Sequence, residues 1–84
     1  MTQQQLKNTL AAIEIMKVYF KGDPVATAPK IIEAAGRVGT EGLLEGYNNL
    51  AAILTKSFAD AAGQDNMAVI DAIEKMVNNI TIAD

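Results

Sequence analysis

The sequence predicts an all-α fold, a small antiparallel helical bundle of three long helices and one short helix. Half of the 84 residues are hydrophobic but only 5% are aromatic, and alanine is the commonest residue, a composition that favours helices over sheets. Apolar residues recur at spacings of three and four, as one face of a helix requires. Glycine and proline divide this pattern into four predicted helices, at residues 3–21, 28–38, 41–62 and 66–80.

Helix one is predicted to begin at once, because Thr2 and Gln5 have the spacing of a capping box, and to end near Gly22. Its inward stripe is predicted to be Leu6, Leu10, Ile13, Met16 and Phe20. Further apolar residues lie off that stripe, so the second half of the helix is apolar nearly all the way round. One interpretation is that helix one is central and buried on both sides. We expect the other, in which a self-association or partner face is formed by Ile15, Val18, Tyr19 and Phe20.

Helix two has two competing start signals. Asp23 followed by Pro24 is typical of a cap and a first helical residue, but Pro29 follows too soon for such a helix to continue undisturbed. We therefore predict that residues 23–28 are a turn or connector and that the helix starts near Ala28. Two glycines, Gly36 and Gly39, are predicted to end it.

Helices three and four each begin at a capping residue, Thr40 and Asp65 respectively. The core seam of the bundle is predicted along helix three, at Leu43, Tyr47, Leu50, Leu54, Phe58 and Ala61. The inward face of helix four is predicted to be Val69, Ile70, Ile73, Met76, Val77 and Ile80. Short connections make neighbouring helices antiparallel, and residues 81–84 are expected to form a frayed tail.

The composition excludes several kinds of chemistry. Without cysteine, histidine or tryptophan, the chain has no disulfide framework, no thiolate or imidazole metal site and no Ser/His or Cys/His nucleophile. We therefore expect no metal site, no cofactor and no enzymatic activity. The remaining candidates for acid–base work are carboxylate pairs on faces predicted to be solvated, Glu41 with Glu45 and Asp71 with Glu74.

Charge and hydropathy limit the expected partners. The net charge of -3 and the pI near 4.7 disfavour nucleic acid, and the basic line along helix one is weak, Lys7, Lys17 and Lys21 being interrupted by Glu14. The sequence shows no signal-peptide pattern at its start and no apolar run near the roughly 18 residues of a membrane span. We expect a cytoplasmic protein without a membrane partner.

The junction between helices two and three is the sharpest candidate for a ligand site. Backbone N–H groups from Thr40 onward, together with the Arg37 guanidinium, have the chemistry to hold a phosphate or carboxylate, although two glycines at a helix junction are also ordinary turn chemistry. The alternative function is therefore an oligomer that holds a small anionic ligand, such as a nucleotide, between subunits. Its site would be lined by Arg37, Thr40, Tyr47 and Lys30.

Two glycines inside helix three, Gly42 and Gly46, indicate a close helix contact. Each costs about 1 kcal/mol relative to alanine, so a backbone approaching that edge should offset the cost. The approaching backbone is either helix two, through Ala34 and Ala35, or a second subunit. We place both glycines at the predicted interface.

The leading prediction is a non-catalytic, self-associating helical binding protein. A chain of this length buries only about 60% of the surface that its unfolded form exposes, so partners are expected to supply further burial. The expected partners are a second copy of the chain and another protein. The expected role is that of an adaptor, inhibitor or assembly component of bacterial or phage origin.

Overall fold

A computed structural model describes residues 1–80, and within that range the protein is helical and contains no strand. Three helices follow one another: α1 at Gln3–Phe20, α2 at Pro24–Ala62 and α3 at Asn66–Asn78. The predicted all-α class is confirmed, whereas the predicted count of three long helices and one short helix is wrong. The tail predicted at residues 81–84 lies outside the described residues.

The capping box predicted at the start of α1 is present. The backbone N–H of Gln5 donates to the Thr2 hydroxyl at 3.1 Å, and the backbone N–H of Thr2 donates to the Gln5 side-chain oxygen at 2.8 Å. After the helix, Gly22 has a φ of 79°, a left-handed conformation that costs glycine little. These local signals place both ends of α1 within a residue of the prediction.

α2 begins at Pro24 rather than near Ala28, so the predicted connector at residues 23–28 is wrong. The Asp23 carboxylate accepts hydrogen bonds from two backbone N–H groups of the first turn, at 3.1 and 3.2 Å. Pro29 lies inside the helix, close enough to its start that the missing N–H removes one hydrogen bond without ending the helix. The hydrogen bonds of the Asp23 cap therefore fix the start of the helix, although Pro29 removes one hydrogen bond further along.

α2 is interrupted at Gly39, whose φ of 80° and ψ of 161° are not helical. The helix resumes at the next residue, so predicted helices two and three are the two arms of one kinked helix. The prediction that Gly36 also ends a helix is wrong, because that residue keeps helical geometry within the first arm. Only glycine adopts the Gly39 conformation at low cost, which explains why the kink is located there.

α3 begins after Asp65, as predicted, and the Asp65 carboxylate accepts the backbone N–H of Ala68 at 2.7 Å. The helix ends at Asn78, shortly before the predicted end at residue 80. The preceding turn contains Gly63, which has a φ of 67°. Both signals at this junction, the cap and the glycine, are therefore used as the sequence indicates.

The chain divides into two compact units, residues 1–51 and 52–84. In the second unit, which is described to residue 80, residues 52–62 of α2 and the helix α3 form a helical hairpin that buries Ala59 and Val69. The core of the first unit consists of four residues of α1 and α2, Ala11, Ile15, Ala34 and Leu43, bordered by Ala35, Val38 and Tyr47. Both cores are thin, because they contain few large side chains.

The prediction of the inward stripe of α1 is wrong for three of its five residues, while Ile13 and Met16 are half-buried. Leu6, Leu10 and Phe20 are exposed. The buried residues of α1 are Asn8, Thr9, Ala11, Ala12 and Ile15. These also recur at helical spacing, but all except Ile15 are small or polar, and hydrophobicity alone does not single them out. Small side chains are buried here because they allow α2 to approach closely.

The predicted core seam of α2 is buried only in its first part. Leu43 is buried and Tyr47 packs beside the core, whereas Leu54 and Phe58 are exposed. In α3 only Val69 of the predicted inward face is buried. The exposed members of that face are Ile70, Ile73, Met76, Val77 and Ile80. Two helices bury only the strip between them, so the rest of each apolar face stays in water.

Candidate functional site

Two of the residues predicted to bind an anion, Lys30 and Arg37, contact carboxylates of their own chain. The Arg37 guanidinium donates to Glu14 Oε2, and Lys30 Nζ lies 3.7 Å from the same oxygen. The second carboxylate, of Glu33, lies 3.2 Å from Lys30 Nζ and 3.7 Å from Arg37 Nε. The four side chains form a network of two cations and two anions, so both cations are already neutralised.

The ion-pair network lowers the pKa of Glu14. The hydrogen bond from Arg37 holds the pKa of the Glu14 carboxyl below its usual value of 4.5, and the charges of Arg37 and Lys30 add to that effect. Partial burial opposes the shift without cancelling it. An external phosphate would have to displace these carboxylates and would be repelled by them.

The other two predicted anion-site residues, Thr40 and Tyr47, do not join this network. Thr40 is exposed on the second arm of α2, and Tyr47 packs against the core of the first unit, where burial raises its pKa. A cavity of about 440 Å³ lies beside Arg37, but neither Thr40 nor Tyr47 lines it. The structure therefore does not bring the four predicted residues into one site.

The glycines predicted at an interface, Gly42 and Gly46, face α1 of the same chain. A Cβ added to Gly46 would overlap the carbonyl oxygen of Asn8, and one added to Gly42 would lie 3.0 Å from the Asn8 side-chain oxygen. The expected close approach thus occurs within one chain, and the approaching helix is α1 rather than the segment containing Ala34 and Ala35. This edge of α2 is occupied and not free for a second subunit.

The crossing of α1 and α2 includes two buried polar residues, Asn8 and Thr9, that sequence reasoning missed. The Asn8 side-chain oxygen accepts a hydrogen bond from Gln4 Nε2 at 2.9 Å, and the Thr9 hydroxyl donates to the Gln5 carbonyl at 2.7 Å. Asn49 of α2 donates to the Thr9 hydroxyl at 3.4 Å. The buried polar groups of both side chains thus have hydrogen-bond partners, so we interpret the crossing as a structural contact. In the sequence, the signal for this contact is the pair of glycines four residues apart, Gly42 and Gly46, which implies a closely packed helix opposite them.

The partner face predicted on helix one is only partly exposed. Ile15 is 2% exposed and belongs to the core of the first unit, so its assignment to an interface is wrong; Val18 is half-buried. Tyr19 and Phe20 are exposed, 61% and 76% respectively, and their rings meet edge to face with centroids 5.2 Å apart. An exposed aromatic pair therefore remains at the end of α1.

An apolar concavity lies in the C-terminal hairpin, which we define as residues 52–62 of α2 together with α3. It is an open groove of about 740 Å³. It is lined by Leu54, Thr55, Ser57 and Phe58 of α2 and by Val69, Ala72, Ile73 and Met76 of α3. None of the described residues that line it is charged. The sequence did not predict this groove, because the periodic pattern places the same apolar side chains in a closed core.

Few groups with catalytic chemistry come together in the described part of the chain. Residues 1–80 contain no cluster of three or more acidic side chains that could hold a metal ion. The carboxylate pairs considered for acid–base work, Glu41 with Glu45 and Asp71 with Glu74, are exposed. Within the same range, every helix is too short or too polar to cross a membrane.

Comparison of the chain with models of protein families, with curated proteins and with solved structures gives no match. Its function is therefore inferred from the surfaces described above. The hairpin groove and the exposed aromatic pair are two apolar surfaces without a partner among the described residues.

Proposed function

We propose that the chain is a non-catalytic, self-associating helical protein that acts through protein–protein contacts, as an adaptor, inhibitor or assembly component. The observation that carries this proposal is the distribution of apolar side chains. Within residues 1–80, eighteen large apolar side chains are exposed, whereas seven apolar residues are buried and four of those are alanines. Most of the apolar surface is thus on the outside.

The thin cores limit the stability of a single chain. Burying a large apolar side chain contributes about 1.5–3 kcal/mol, and a chain of this size is marginally stable even with a good core. Apolar surface of this extent is typical of a face that is covered when the protein functions. Self-association would cover part of this surface and so supply the apolar burial that the two thin cores lack.

The geometry favours this proposal over an intersubunit site for a small anion. Such a site needs free cations, and the cations considered for it, Lys30 and Arg37, are paired with Glu14 and Glu33. We therefore expect added nucleotides to change neither the mass nor the thermal midpoint of the protein.

Light scattering of the purified chain across a hundredfold dilution tests the proposal. We expect a mass of at least twice 8.9 kDa at the upper end of the range. Because the contacts are apolar, that mass should persist in about 1 M salt, where ion pairs between exposed charges are screened. A mass of 8.9 kDa at every concentration would contradict self-association.

A further inference from the structure

The groove of the C-terminal hairpin exposes most of its large apolar side chains. Of its large apolar side chains, Val69 is buried, whereas Leu54, Phe58, Ile73 and Met76 are between 49% and 69% exposed. The hairpin is also shorter than the roughly 40 residues below which a domain usually needs disulfides, metals or oligomerisation. Since the chain has no cysteine, a disulfide is not available to it.

We infer that this groove is closed by the same groove of a second copy, so that two hairpins form a four-helix bundle. The inference rests on the proposed function and names the partner and the surface. Each hairpin supplies the other with the two helices that a bundle requires beyond its own. The contact is isologous, with the same residues used on both sides.

The apolar area of the hairpin is close to what such a dimer needs. Ile70 and Val77 lie three before and four after Ile73, so they share a helix face with it and extend the groove. The half-exposed set on this surface is Leu54, Phe58, Ile70, Ile73, Met76 and Val77. Aromatic side chains bury about 150–250 Å² each and aliphatic ones less, so six side chains that are about half-exposed offer on the order of 500 Å². That area is comparable with the apolar share, about 65%, of the ~800 Å² per partner of a standard interface.

The charge distribution also fits a second copy. In an isologous contact the groove meets itself, so a charge in the lining would face its own sign. The polar side chains among the lining residues are only the hydroxyls of Thr55 and Ser57. The charged residues of the hairpin stay outside the lining: Lys56, Asp60, Asp71, Glu74 and Lys75. Pairing two grooves therefore sets no charged side chain of the lining against its own copy.

Two exposed phenylalanines give a matched test of this inference. Phe58 lies in the groove and is 61% exposed, and Phe20 lies at the end of α1 and is 76% exposed. We expect twice 8.9 kDa for the wild type, 8.9 kDa for Phe58→Glu at the same concentration, and twice 8.9 kDa for Phe20→Glu. Circular dichroism reports whether each variant keeps its helices.

If Phe58→Glu loses helix content, the milder pair Phe58→Ala and Phe20→Ala replaces it. The dimer dissociation constant should then rise about tenfold or more for Phe58→Ala and less than about threefold for Phe20→Ala. A dimer that survives the Phe58 substitutions but is lost in Phe20→Glu would overturn the inference and leave the proposed function standing. A wild-type mass of 8.9 kDa throughout would instead overturn the self-association on which both rest.

Discussion

At the scale of single residues, the contact between α1 and α2 depends on Gly46. The nearest atom to a Cβ placed there is the backbone carbonyl oxygen of Asn8, which cannot rotate away as a side chain can. A side chain at Gly46 therefore forces the two helices apart. At Gly42 the nearest atom is the Asn8 side-chain oxygen, which is able to move.

We expect Gly46→Ala to lower the free energy of unfolding by about 1–3 kcal/mol, since the steric clash exceeds the ~1 kcal/mol that alanine contributes to helix propensity. Gly42→Ala is the matched control and should cost less. Urea denaturation of the three proteins measures both effects. Equal changes, or a more stable Gly46→Ala, would show that the two helices do not approach as closely as described.

The pairing of Glu14 with Arg37 predicts a dependence of stability on pH. The pKa of Glu14 is lowered in the folded state, so its contribution is complete above the unfolded pKa and is lost as the pH falls through the folded pKa. Because the Glu14 side chain is 43% exposed and water screens its ion pair, the contribution at pH 7 is below about 1 kcal/mol.

The corresponding variant is Glu14→Gln, compared with Glu45→Gln, whose carboxylate makes no ion pair among the described residues. Between about pH 5 and pH 3, the wild type and Glu45→Gln should lose more stability than Glu14→Gln. Denaturation midpoints at several pH values test this expectation. If the midpoints of all three proteins fell equally with pH, the ion pair would make no measurable contribution to stability.

At the scale of elements, the helix ends follow local signals. Side chains at Thr2, Asp23 and Asp65 accept the N–H groups of the first turns, and Gly22, Gly39 and Gly63 adopt positive φ. These interactions involve residues two or three apart, so they do not depend on the rest of the fold. The kink within α2 is of the same local kind.

Two glycines three residues apart in α2 should respond to alanine in opposite ways. Gly39→Ala places a Cβ at a φ of 80°, which costs about 1–3 kcal/mol. Gly36→Ala meets no atom within 4 Å and should raise the stability by about 0.5–1 kcal/mol. For a domain of this size, 1 kcal/mol moves the thermal midpoint by about 4–8 °C. Midpoints that shift in the same direction would contradict the assigned kink.

At the scale of the whole molecule, the balance between buried and exposed apolar residues is the dominant feature. The buried set contains few large side chains, and the exposed set occurs in both compact units. A protein with this distribution is stabilised by whatever covers its surface, because a partner that binds only the folded state shifts the folding equilibrium toward it.

The thermal midpoint of the wild type should therefore rise with protein concentration. Across a hundredfold range, mass action contributes up to about 2.7 kcal/mol, which corresponds to a shift of several degrees. The midpoint of Phe58→Glu should stay constant over the same range, because that variant is expected to be monomeric. Scanning calorimetry or circular dichroism provides the measurement, and a wild-type midpoint independent of concentration would argue against self-association.

The residues of the candidate surfaces show how far the sequence alone reaches toward function. It identifies Phe58, Ile73 and Met76 as members of apolar helix faces, but it places them in a closed core. The ion pair of Glu14 with Arg37 joins residues 23 apart, so neither was predicted to neutralise the other. Periodicity reports which side chains share a face and contains no information on what lies opposite.

By itself the sequence determined the helical class, the caps and the glycine turns, because these depend on dihedral preferences and on hydrogen bonds between residues close in the chain. Only the tertiary structure decided which faces are buried: Asn8, Ala11 and Ala12 are inside, while Leu6 and Leu10 are exposed. The reason is physical. Burial depends on how closely a second backbone approaches, and that approach is closest where both helices present small residues, regardless of where the most hydrophobic ones lie.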